Sequence, residues 1–215
     1  MNNFKEAKKE MVKLATEMGV KIKTKEDSWF MQLLGKLMFF NKNFLKDYIS
    51  VIGNTIYFPK EVYENDGVTA FVLTHELRHA KDYQTWSFQF ISLLYLFPQI
   101  LGPLFILGFF LHPLWFLCLL FFLPIPALGR AWVEARAYGT ETAIRELLYG
   151  EKGIAEYKIR AFLDSSYYFM WPFRKSVECW LKKEIEKQKK DEFTLEMFKR
   201  FKSGLEKKRN QQLKI

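Results

Sequence analysis

Between Tyr83 and Gly129 the chain has no Asp, Glu, Lys or Arg. Cysteine is almost missing as well: Cys118 and Cys179 are the only two in 215 residues, with no CxxC pair. That excludes a disulfide scaffold and makes a reducing compartment the default. Histidine is scarce at three, and proline at seven. The N-terminus, MNNFKEAKKEMVKLATEMGV, lacks an apolar h-region, so no cleavable signal peptide is expected. There are no internal repeats. What the chain does have is apolar side chains, 49% of the total with 22 Phe, which excludes intrinsic disorder.

A mean hydropathy of -0.13 and a pI of about 9.4 describe an ordinary basic soluble protein. The averages conceal an uneven distribution. Of the net +9, residues 1–82 carry +2, residues 83–150 carry zero and residues 151–215 carry +7. In that tail Lys and Glu interleave, as in Lys182-Lys183-Glu184-Ile185-Glu186-Lys187, which suits solvated helices first and attraction to an anionic membrane face second. A nucleic-acid partner is not expected.

The apolar run from 88 to 129, if helical, is about 63 Å long at 1.5 Å per residue. That is two crossings of a hydrocarbon layer about 30 Å thick. His112-Pro113 interrupts it near its middle, since proline breaks the helical ladder. The run therefore predicts a transmembrane hairpin, 87–129, with helices at 88–109 and 112–128. Two other forms fit the same residues. Pro98, Gly102 and Pro103 suit a shallow re-entrant hairpin, and a soluble protein could bury the run as core. Trp86, Trp115 and Tyr95 are candidate markers of interfacial depth. A hairpin returns the chain to its starting side. With Arg78 and Lys81 before it and Arg130, Arg136 and Arg145 after it, both termini and the intervening site are expected in the cytoplasm.

The flanks predict a mainly α fold with a small β-hairpin. Helices are expected at 3–18, 28–40, 66–83, 129–149, 154–165, 175–190 and 194–208, the last one fraying. Strands are expected at Tyr48–Ile52 and Thr55–Phe58 around Gly53-Asn54. Helix 28–40 suits either core or an interfacial position on a bilayer. The aromatic segment Tyr167–Phe173 suits packing on the domain or an interface. The regions are then 1–86, ending in the metal-motif helix; the hairpin 87–129; the helix of 130–150 that completes the domain; and a basic helical region, 151–215.

Two of the three histidines fall in His75-Glu76-Leu77-Arg78-His79, an HExxH motif on a predicted helix. Residues i and i+4 share a helix face, so both imidazoles can reach one Zn²⁺. Glu76 lies about 100° further around the helix, off the ligand face but within reach of water beside the ion. A catalytic zinc needs a third ligand. His79 is not followed by the GxxH of longer motifs, and His112 sits at the far end of the hairpin. A carboxylate must therefore serve. Glu134 is the first candidate, flanked by Ala131, Ala135 and Ala137, which allow close helix approach; Glu141, two turns later, is the second. Arg145 suits the surface.

The pair His75-Glu76-Leu77-Arg78-His79 and Glu134-Ala135-Arg136-Ala137 resembles the gluzincin metallopeptidases, above all the membrane-embedded HtpX and CAAX-prenyl-protease group. The chain around Ile52–Pro59 is also similar to compact phage-encoded zincin-like proteins. The resemblance covers residues 48–149. It implies a zincin-like α+β fold, Zn²⁺ as cofactor, His75, His79 and Glu134 as ligands, and Glu76 as general base. The chain departs from the family in two respects. Transmembrane segments ahead of HExxH are missing, and Tyr138 stands where the family has an Asp that orients a zinc histidine. Tyr138 is then a hydrogen-bonding or oxyanion-stabilising group, and Asp82, Glu141 and Asp164 are left as candidates for the carboxylate that orients the histidine. The resemblance also implies that Thr55–Phe58 pairs with an extended substrate, unless it is an ordinary packed strand. The expected function is a membrane-anchored zinc metallopeptidase acting on a peptide or protein substrate. The alternative is an inactive zincin-like membrane scaffold or virion component.

Overall fold

A computed structural model describes residues 3–37, 43–123, 125–164 and 170–212. Residues 38–40 of the expected second helix, residue 165 of the helix expected at 154–165, and residues 167–169 of the aromatic segment lie outside it.

The described residues are mostly helical with one three-stranded sheet. Helix α1 (Asn3–Glu17) buries Ala7, Met11 and Leu14, spaced three and four apart on one face. Gly19, at φ 70°, adopts the left-handed turn that closes it. Strand β1 (Lys21–Thr24) follows, then α2 (Trp29–Leu37), β2 (Ser50–Ile52) and β3 (Thr55–Phe58). The β2–β3 hairpin turns at Gly53, φ 57°, and pairs Val51 with Ile56.

The sheet order decides between the two readings of Thr55–Phe58. Its order is β1-β3-β2, with β1 parallel and β2 antiparallel to β3. Thr55–Phe58 is therefore the central strand. Its backbone donors and acceptors are used on both sides, so it offers no free edge for a substrate strand. The free edges belong to β1 and β2.

Short α3 (Lys60–Glu64) leads into α4 (Asp66–Trp86), whose N-cap Asn65 accepts from the Val68 amide at 3.2 Å. Helix α4 is buried nearly all round, from Thr69 to Asp82. Helices pack on two sides of it, with a further pair beyond. Helix α1 and α9 (Glu192–Gln212) pack on one side, sharing a core with Ile56, Phe58, Phe71, Leu73 and Leu77. Helix α6 (Leu128–Tyr149) lies on another, closed by Gly150 at φ 72°. Helices α7 (Glu156–Leu163) and α8 (Arg174–Gln188) cover the far face of α6. Helix α9 is no loose appendage: Thr194, Met197 and Phe201 are fully buried. Gly204 lies so close to α1 that a Cβ there would stand 2.6 Å from the Ala7 Cα.

The apolar segment is not two continuous α-helices. Helix α5 (Phe88–Leu96) is followed, after a 78° bend, by a 3₁₀ arm, Gln99–Phe109. A second 3₁₀ arm, Pro113–Phe122, returns along it, with Phe105 edge-on to Phe122 and Phe109 edge-on to Phe116. Pro98 and Pro103 have no N–H to donate, so the α-helical ladder cannot run through them. Among the described residues no single helix is long and apolar enough to cross a membrane; the bent pair passes that test only jointly. At about 2 Å per residue each 3₁₀ arm is roughly 20 Å long.

Candidate metal centre

The centre forms where α4 crosses α6. One turn separates His75 from His79 on α4, and their Nε2 atoms stand 3.1 Å apart. Glu134 enters from α6, its Oε2 3.4 Å from His75 Nε2 and 3.7 Å from His79 Nε2. The small side chains of Ala131, Ala135 and Ala137 accompany Glu134 on a buried part of α6. His75, His79 and Glu134 are the only group of metal-ligating side chains so gathered among the described residues. Three ligands bonded tetrahedrally at 2.0–2.1 Å lie about 3.3 Å from one another. The observed separations, 3.1, 3.4 and 3.7 Å, fit that arrangement with minor adjustment.

The centre is shut off from solvent, with His75, Glu76 and His79 each 8% exposed and Glu134 6%. Burial shapes its electrostatics. It opposes ionisation of Glu134, but His79 and His75 outweigh it and hold this carboxyl well below the usual range. Burial likewise opposes the charged form of His79, yet the Glu134 carboxylate lifts it to about 9. Burial raises the Glu76 carboxyl above its ordinary value, with His75 and His79 pulling the other way.

Other anticipated residues are placed as follows. Tyr138 sets its ring edge-on to His75, centroids 4.5 Å apart, and so braces that imidazole. Glu141 is not in the ligand group; Arg145 at 2.9 Å, Lys158 at 3.2 Å and the Tyr157 hydroxyl at 3.3 Å hold it. Arg145 is also more than a surface residue, lying 3.7 Å over the Phe71 ring. Asp82 is clasped by Arg136 through two 2.9 Å bonds, with Arg78 Nε 3.4 Å away. It thus ties α4 to α6 and contacts neither histidine. Asp164 caps the end of α7. His112 stands between the 3₁₀ arms, its Nδ1 accepting from the Leu114 amide.

Two residues near the centre were missed by sequence reasoning. Tyr95, anticipated only as a depth marker, donates its hydroxyl to Glu134 Oε1 at 3.0 Å. Lys25, just past β1, is fully buried, with its ammonium 2.6 Å from the Phe44 carbonyl oxygen. Burial lowers it to about 8, partly countered by the Glu76 and Glu26 carboxylates. No sequence signal marked either residue, because Tyr95 sits in an apolar run and Lys25 in a charged one.

No protein family, curated protein or solved structure matches this chain.

Proposed function

We propose that this protein is a zinc metallopeptidase of zincin-like type, anchored in a membrane by residues 87–129. One observation carries the reading: two i, i+4 imidazoles and a carboxylate from a second helix converge at tetrahedral spacing, with an adjacent buried glutamate. The donor set, two nitrogens and one oxygen, is that of a catalytic zinc. Zinc at His75, His79 and Glu134 would supply Lewis acidity and bring the pKa of water toward 7. Glu76 takes the proton from the attacking water and delivers it to the leaving amine. Tyr138 steadies His75 and is a candidate donor to the developing oxyanion.

The membrane part rests on exposure. Phe109, Phe110 and Leu111 at the tip of the 3₁₀ hairpin are 69%, 78% and 68% exposed, and no charge occurs anywhere along it. A buried core segment would hide those rings, so the exposure favours lipid over the soluble alternative. Arms of roughly 20 Å suit a re-entrant insertion better than two full crossings. The arms run back to back, so the chain leaves the bilayer on the side it entered. We assign that side to the cytoplasm, where peptide bonds close to the membrane surface would be the substrate.

A second reading, a zinc-holding membrane scaffold without activity, is favoured by the closure of the site. One experiment separates the two. Wild type and Glu76→Gln are each measured for bound zinc and for cleavage of a broad peptide library. The expected result is one zinc in both proteins and cleavage by wild type alone, with the variant slower by about 10²- to 10⁴-fold. Zinc in both and cleavage by neither establishes the scaffold.

A further inference from the structure

We propose that Tyr95, a residue of the apolar insert, is the positioning residue of the metal carboxylate, so that metal affinity depends on the insert being docked. This rests on reading Glu134 as a ligand. The carboxylate divides its two oxygens. Oε2 faces His75 and His79, while Oε1 accepts the Tyr95 hydroxyl at 3.0 Å. A carboxylate binding metal through one oxygen can swing or become bidentate unless the other oxygen is held.

The insert is built to keep Tyr95 there. Tyr95 lies in the last turn of α5, and its main-chain oxygen accepts from Arg130 Nε at 3.0 Å. The Arg130 guanidinium also stacks 4.9 Å from the Tyr95 ring and donates to Gln99 Oε1 at 3.3 Å. Gln99 in turn donates to the Ile125 carbonyl oxygen at 3.1 Å, pinning the start of the outgoing arm to the link between the returning arm and α6. Gly129 leaves α5 room beside α6, since a Cβ there would strike Leu94. Arg130 is one turn ahead of Glu134 on α6, so one helix holds both the ligand and the clamp on its hydroxyl partner. At the other end of α5, Ser87 joins it directly to the histidine-bearing helix α4 with a positive φ of 71°. Such a backbone in a non-glycine residue persists where its surroundings hold it. Bilayer contact along the exposed arms and geometry at the metal are thereby joined through a single hydroxyl.

The test uses the full chain in detergent or vesicles and Tyr95→Phe, which removes one oxygen and keeps the ring. Zinc affinity is read by chelator competition, and the visible spectrum of the Co²⁺-substituted protein reports ligand geometry. The expected result is a zinc Kd raised about 10- to 100-fold, with altered cobalt bands. The metal-free protein should stay folded, losing only the stability of one hydrogen bond. A Kd within threefold of wild type, or cobalt bands identical to those of wild type, overturns the proposal. Failure of wild type to bind zinc would instead refute the metal centre itself. Lack of peptidase activity would leave this measurement intact.

Discussion

Replacing Asp82 by Asn preserves the shape of the side chain and removes the one carboxylate between two buried guanidiniums. Asp82 is 1% exposed. Arg136 meets it through two 2.9 Å bonds, and Arg78 Nε lies 3.4 Å away without another partner. An Asn offers one acceptor where two were used and turns an NH₂ group toward guanidinium donors. Breaking a buried ion pair costs about 3–5 kcal/mol. The lower end applies, because Arg136 keeps Glu184 at 3.8 Å and Arg78 keeps Asp191 at 2.9 Å. About 3 kcal/mol in a chain of this length lowers Tm by roughly 6–12 °C. The assay is thermal unfolding by circular dichroism in detergent, with chelator present so that metal adds nothing. Because the clasp joins the helices that carry the three candidate ligands, any zinc affinity should fall in the same variant. A Tm shift below about 2 °C would refute the claim that this clasp holds α4 to α6.

Two further perturbations probe other parts of the fold. Gly204→Ala should cost about 1–3 kcal/mol, read as a lower urea midpoint, because the new methyl meets α1 backbone that cannot move aside; an unchanged midpoint would mean that the helices separate freely. Lys25 has its folded pKa lowered to about 8 by burial, so between about pH 8 and pH 10.4 the unfolded chain binds the extra proton and this group makes stability rise with pH. Lys25→Met abolishes that slope. The unfolding midpoint of the variant relative to wild type should therefore drop between pH 7 and pH 10, and a constant difference would sink the argument.

The local periodic features were legible without coordinates. The helices at α1, α4 and α6 follow from apolar spacing, with Asn65 or Asp66 opening α4 and Gly150 closing α6, and the β2–β3 hairpin follows from Gly53-Asn54. Strand β1 was not legible, because Lys21 and Lys23 dilute its apolar content and its partner β3 lies more than thirty residues onward. Without that strand, Thr55–Phe58 could be read either as an edge open to substrate or as an ordinary packed strand. The broken form of the insert was only half legible: the prolines announced a kink, but the 3₁₀ winding depends on packing between the arms.

By itself the sequence determined that two imidazoles share a helix face, that Glu76 stands beside them, and that 47 consecutive residues carry no charge. Each of these is a matter of spacing along the chain. Tertiary structure alone decided which carboxylate completes the group, sending Glu134 to the histidines and Glu141 to Lys158 and Arg145. It alone brought Tyr95 back onto Glu134 and gave Asp82 to arginines rather than to His75 or His79. The reason is that charge pairing in a buried site is settled by which helices touch and at what angle, and that information is spread across the whole core.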